Sequence, residues 1–156
     1  MLLQDVTTKV GSPFVLHYDK TSISIARRFK MLGVAPFEIS LGAAKDKFAL
    51  FESFRVAMQM PLDQIANWDA LEEALADLSW VPHTSINIVL EGTESFYRRD
   101  QQSFRKLLNL VEVVGPSWAE PVSEGEWWDR GAVPFRVYVD AGTSKSFPFS
   151  FPTVTA

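Results

Sequence analysis

FEISLGAAKDKFALFESFRVAMQMP, residues 37–61, sets a short alternating run directly before a longer one with helical spacing. Phe37, Ile39 and Leu41 are two apart, so FEISLGA reads as a strand with one apolar face that ends at Gly42. Over 45–60, Phe48, Leu50, Phe51, Phe54 and Met58 fall near the 3.6-residue period, and Pro61 stops the helix. The pattern then repeats. INIVL, 86–90, is a short buried strand, and DQQSFRKLLNLVEVVG, 100–115, is a helix with Asp100 as N-cap and Gly115 past its end. FRVYV, 135–139, is a third strand, entered through Pro134. Strands separated by helices of this length make right-handed βαβ crossovers, so the expected fold class is α/β, a small parallel sheet packed with helices.

On either side of this unit the pattern is less regular. FVLHY, 14–18, reads as an additional strand, which makes residues 1–36 an N-terminal extension packed on the domain. TSISIARRFKML, 21–32, fits two states: Ile25, Phe29 and Leu32 have helical spacing, whereas SISI alternates. Residues 141–156, AGTSKSFPFSFPTVTA, form an irregular tail whose Phe147, Phe149 and Phe151 suit either an extended strap along the domain or disorder. At 156 residues the chain fits one domain, large enough to bury roughly 70% of its unfolded surface. Having no Cys, it has no disulfide, zinc ribbon or thiol chemistry. MLLQDVTTKVGS lacks a basic segment followed by an apolar one, and no run approaches bilayer length, so a cytoplasmic location and no membrane contact are expected.

The charge pattern singles out one segment. The net charge is −4, yet residues 56–97 carry Asp63, Asp69, Glu72, Glu73, Asp77, Glu91 and Glu94 with no Lys or Arg. Within it, NWDALEEALADLSW, 67–80, predicts a helix over 68–79. At 100° per residue Trp68, Ala70, Leu71, Ala74, Leu75 and Leu78 face a core, and Asp69, Glu72, Glu73 and Asp77 fill the opposite arc. The pairs 69/73, 73/77 and 69/72 repel by roughly 0.2–0.5 kcal/mol each. Two readings stand side by side. Asp69 and Glu72 lie in the first turn, where the helix dipole favours acids, so the arc is a solvated face; or it is a docking surface for a basic partner. A surface of this sign repels phosphate, which argues against direct nucleic-acid binding, and attracts a protein whose own cleft is built to hold phosphate.

NWDALEEALADLSW resembles the second-helix motif of barstar-type ribonuclease inhibitors, with Asn67, Asp69, Ala70, Leu71 and Leu75 at matching places. FEISLGA, the Phe-rich helix, INIVL, the 100–115 helix and EWWDRGAVPFRVYV follow the same family's order over about residues 37–140. The resemblance implies a three-stranded parallel sheet with helices and inhibition of a barnase-like ribonuclease, the acidic helix plugging the enzyme's basic active site. It makes the chain an immunity protein against a nuclease toxin. Asp69 then matches a partner-contacting aspartate, and Glu73 matches the aspartate that occupies the enzyme's phosphate site, here one methylene longer. Asp63, Asn67, Glu72 and Asp77 complete the candidate partner-binding set. Glu72 stands at an aromatic position of the family, Leu62, Asp63, Gln64, Ile65 and Ala66 replace its tyrosine-rich loop, and the loop Gly is absent. The nuclease recognised is therefore expected to differ from barnase.

Other chemistry has little support. EGEWWDRG, 124–131, places Trp127 and Trp128 between Glu126 and Asp129, a carboxylate pair that would suit sugar chemistry only if it lay in a cleft. The segment reads instead as a loop whose tryptophans pack over the sheet edge. His17 and His83 have no partner at metal-ligand spacing, and nucleotide, esterase and zinc-protease motifs are missing, so no metal, cofactor or catalytic residue is expected. Arg27, Arg28 and Lys30 read as a solvated basic cluster. Two rivals remain: a non-inhibitory interaction module using the same acidic face, and an enzyme holding a divalent ion in the acidic cluster.

Overall fold

In the computed structural model, which describes residues 1–19, 25–140 and 147–155, strands β1 (Val15–His17), β2 (Phe37–Ser40), β3 (Ile86–Glu91) and β4 (Phe135–Val139) form one sheet. All pairs are parallel, in the order β1-β4-β3-β2. Among the described residues six helices accompany them: α1 (Leu3–Val6), α2 (Ile25–Met31), α3 (Lys47–Ala57), α4 (Trp68–Asp77), α5 (Thr93–Arg99) and α6 (Gln101–Ala119). The fold is α/β as expected, with the N-terminal strand joined to β4 as the fourth member of the sheet.

Strand alternation sorts the core into two layers. Ile39, Ile88, Leu90, Val137 and Val139 face Leu50 and Phe54 of α3, Leu71 and Leu75 of α4, Phe96 of α5, and Phe104 and Leu107 of α6. Leu16, Val89 and Tyr138 point the other way, against Leu3, Val6, Ile25, Phe29 and Val154. The direction of travel explains this division. From β2 to β3 to β4 the chain steps one way across the sheet, so right-handed crossovers put α3–α6 on one face. Going from β1 to β2 it steps the opposite way, and the same handedness puts α2 on the other face.

Several boundaries differ from the sequence expectation. α3 ends at Ala57, three residues before Met60, and Gln59 takes a left-handed φ of 50° as the chain turns. α4 stops at Asp77, with Leu78 in the left-handed region, rather than at 79. The stretch 93–99, for which the sequence pattern gave no element, is helix α5. Asp100 ends it and caps α6 by accepting from the Ser103 N–H at 3.1 Å. Gly115 does not stop α6, which continues through Pro116 to Ala119. The glycine is required by packing, since a Cβ there would lie 2.5 Å from the Phe14 ring. Of the ambiguous segment 21–32, Ile25–Met31 is helix, and 21–24 lie outside the described residues.

Residues 147–155 run along the open edge of β1. The His17 N–H donates to the Pro152 carbonyl and the Val154 N–H to the His17 carbonyl, each at 2.8 Å. Covering an edge strand in this way removes a template for aggregation. Phe147 and Phe149 close the end of the layer that holds α3–α6, packing against Tyr97 and Phe104 with ring centroids 5.3–5.6 Å apart. Residues 141–146 lie outside the described set.

At the C-terminal ends of the strands, Asp140 accepts hydrogen bonds from the Gly92 N–H, the Thr93 N–H and the Thr93 hydroxyl at 2.8, 3.1 and 2.5 Å. Arg99 closes the neighbouring turn by donating to the carbonyls of Leu41, Gly42 and Ala44. Gly92 has φ +71°, and a Cβ on it would lie 2.5 Å from the Gly42 nitrogen. Gly92→Ala therefore combines a left-handed backbone with a backbone clash. It should lower stability by about 2 kcal/mol or more in urea unfolding, and a variant as stable as the parent would contradict this packing.

Candidate functional site

α4 is held rigidly at both ends. Asn67 caps its start by accepting from the Ala70 N–H at 2.8 Å, and Trp68 meets Phe51 edge-on with centroids 4.9 Å apart. Leu71, Ala74 and Leu75 are buried beneath it. At the other end the Trp118 indole N–H, reaching across from α6, donates to the Leu75 carbonyl at 2.9 Å. That bond satisfies a carbonyl in the last turn and fixes the rotation of α4 about its own axis. The apolar arc read from the sequence is the buried one.

The opposite arc carries the carboxylates. Asp69, Glu73 and Asp77 are exposed and Glu72 is half-buried. Among the described residues none of the four is in an ion pair, while Glu52 pairs with Arg55 and Glu94 with Arg98 elsewhere. Asp77 accepts from the Ser79 hydroxyl at 3.2 Å. One basic group does come near. Between α4 and α6 runs a groove of about 240 Å³ lined by Trp68, Asp69, Glu72, Lys106, Asn109, Leu110 and Val113. Lys106 is 34 residues or more along the chain from Asp69 and Glu72, so only the crossing of the helices brings it to the rim.

The other two candidates have local roles. Asn67 spends its side-chain oxygen on the cap. Asp63 is exposed in the loop before α4 and adds to the negative field at Arg55, whose guanidinium is held by Glu52 at 2.8 and 2.5 Å. The hydrogen bonds that Arg55 donates to Glu52 are the main reason the Arg55 pKa is raised.

The reading of Trp127 and Trp128 as sheet-edge packing is overturned. Trp127 is 85% and Trp128 48% exposed, at the tip of a turn whose flanks, Val122 and Arg130, are joined by two antiparallel hydrogen bonds of 2.8 and 2.9 Å. Asp129 organises the turn by accepting from the N–H groups of Glu124 and Gly125 at 2.9 and 2.8 Å, which holds its carboxyl below the usual carboxylate range. Those contacts persist at neutral pH and are lost only as pH falls through the lowered value. Glu124 accepts from the Trp128 indole at 2.7 Å, and the pair read from the sequence, Glu126 and Asp129, lies exposed on the turn with Asp129 engaged by backbone N–H groups. Arg130 ties the turn down. Its guanidinium lies 4.1 Å from the Trp118 ring centroid and donates to the carbonyls of Ser117, Glu120 and Gly131. Sequence inspection missed this because adjacent tryptophans usually mark burial, and nothing local to EGEWWDRG reveals the outward tip.

Among the described residues no three His, Cys, Asp or Glu side chains gather as a metal site, and no helix is long and apolar enough to cross a membrane. The profile of the family described as Barstar (barnase inhibitor) matches residues 34–140. No curated protein and no solved structure matches the chain.

Glu73 sits between Asp69 and Asp77, four residues from each. Glu73→Gln should therefore raise stability by roughly 0.5 kcal/mol at low ionic strength, the gain shrinking with added salt. Chemical denaturation at two salt concentrations measures this; a loss of stability would mean that Glu73 serves the fold.

Proposed function

The chain belongs to the barstar family, and from that premise we propose that it inhibits a ribonuclease by laying the outward arc of α4 into the enzyme's basic active-site cleft. A barnase-inhibitor-like role follows from family membership. The finer reading is carried by one observation: Asp69, Glu72, Glu73 and Asp77 stand on the outer arc of a helix clamped at both ends, without an ion-pair partner among the described residues. A clamped helix loses little conformational freedom on binding, so most of the electrostatic gain survives as affinity. A carboxylate meeting a cation at 4 Å gains about 4 kcal/mol at an effective dielectric of 20, before the cost of desolvation. Complementary fields also speed encounter.

In this reading Glu73 occupies the enzyme's phosphate site, and Asp69 and Asp77 meet cations along the cleft. The half-buried Glu72 works at the groove beside Lys106. The chain does no chemistry. Its place is the cytoplasm of the cell that makes the nuclease, where it acts as the immunity protein.

Glu73→Lys should weaken inhibition of the cognate ribonuclease by about tenfold or more and flatten its salt dependence. Asp5→Lys, the same charge change at an exposed position of α1 on the other face of the sheet, should do neither. The enzyme is obtained by capturing partners from a lysate of the source organism on the immobilised chain, eluting with salt, and assaying ribonuclease activity with and without added inhibitor. Equal behaviour of the two variants, or a salt-eluted partner without ribonuclease activity, would sink the reading, the latter in favour of a non-inhibitory interaction module.

A further inference from the structure

The exposed arc of α4 is too small to be a whole interface. A helix of ten residues is about 15 Å long and about 10 Å wide, so one face offers roughly 150 Å². A stable complex covers about 800 Å² on each partner. Charge alone also makes a poor anchor, since binding energy concentrates in a few aromatic or arginine side chains. A large exposed aromatic surface lies at the tip of the 122–130 turn, and the structure ties that turn to α4 through Trp118. The Leu75 carbonyl takes the Trp118 indole N–H, and the Trp118 ring carries Arg130, which closes the turn. The tip is thus fixed relative to the C-terminal end of the acidic helix.

We propose that Trp127 and Trp128 form a second contact, which receives an arginine or lysine side chain from the basic rim of the partner. The sign of the surroundings selects that occupant. Between residues 120 and 133 the chain has Glu120, Glu124, Glu126 and Asp129 against one cation, Arg130, which is committed to Trp118 and three backbone carbonyls. The two indoles meet edge to face with centroids 5.5 Å apart at 84°, and Trp127 keeps most of its surface open. An aromatic face among carboxylates binds guanidinium or ammonium groups through the ring quadrupole and the local field together. Phe48, also exposed, differs in having its own Lys47 ammonium 5.2 Å from the ring centroid.

This inference rests on the reading of α4 as the principal contact, but its first test does not. The full chain is titrated with penta-arginine and, as control, penta-glutamate, while the indole N–H signals of its five tryptophans are followed by NMR. Penta-arginine should shift the Trp127 and Trp128 signals and leave that of buried Trp118 in place; penta-glutamate should shift none. Trp127→Ala should weaken the peptide about fivefold with an unchanged melting temperature, Trp127→Tyr should restore most of the affinity, and Glu73→Lys should leave the indole response intact. Against the captured ribonuclease, Trp127→Ala should raise Kd about tenfold without altering the salt slope. An absent indole response, or wild-type Kd values in Trp127→Ala, overturns the proposal. Loss of the nuclease reading is recorded separately, by the behaviour of Glu73→Lys.

Discussion

Right-handed crossing between parallel strands dictates where everything else can be. Once β2, β3 and β4 are laid down in one direction, the helices between them have only one face to occupy, and α3, α4, α5 and α6 crowd there. α4 and α6 are thereby brought into contact. From that contact come the bond between Trp118 and Leu75, the groove beside Lys106 and the anchorage of the 122–130 turn. The opposite face is left to the N-terminal segment because β1, on the far side of β4, can reach β2 only by crossing back.

The acidic helix is tolerable because its penalty is small beside its packing. Three like-charge pairs cost about 1 kcal/mol in all. Burial of Leu71 and Leu75 alone contributes roughly 1.5–3 kcal/mol each, as an upper estimate from exposed side chains. The fold can therefore carry an electrostatically unfavourable arc on α4. What the arc does to the outside is a different matter, since the charges are held in place before any partner arrives.

The exposed acids and exposed tryptophans have different physical origins. The carboxylates face water because their helical phase opposes an apolar stripe, which is a local property. The tryptophans face water because Asp129 gathers the backbone N–H groups of the turn and Arg130 docks on Trp118, which leaves two large aromatic side chains standing outward among exposed carboxylates. That arrangement depends on a ring contributed by the end of α6.

Periodicity and punctuation were enough to read three strands, the sides of α4, the cap Asp100 and the α/β class, because alternation, helical phase and capping act between residues close in sequence. The resemblance of 67–80 to a known inhibitor helix was legible for the same reason. Gly115 misled, since a glycine that ends a helix and one that makes room for Phe14 look alike until the neighbour is present. The course of α6 to Trp118, the arrival of Lys106 beside Asp69 and Glu72, and the outward tip at Trp127 were decided only by tertiary structure. Each depends on contact between segments distant in sequence, and no local pattern records which side chains the crossing of two helices will bring together.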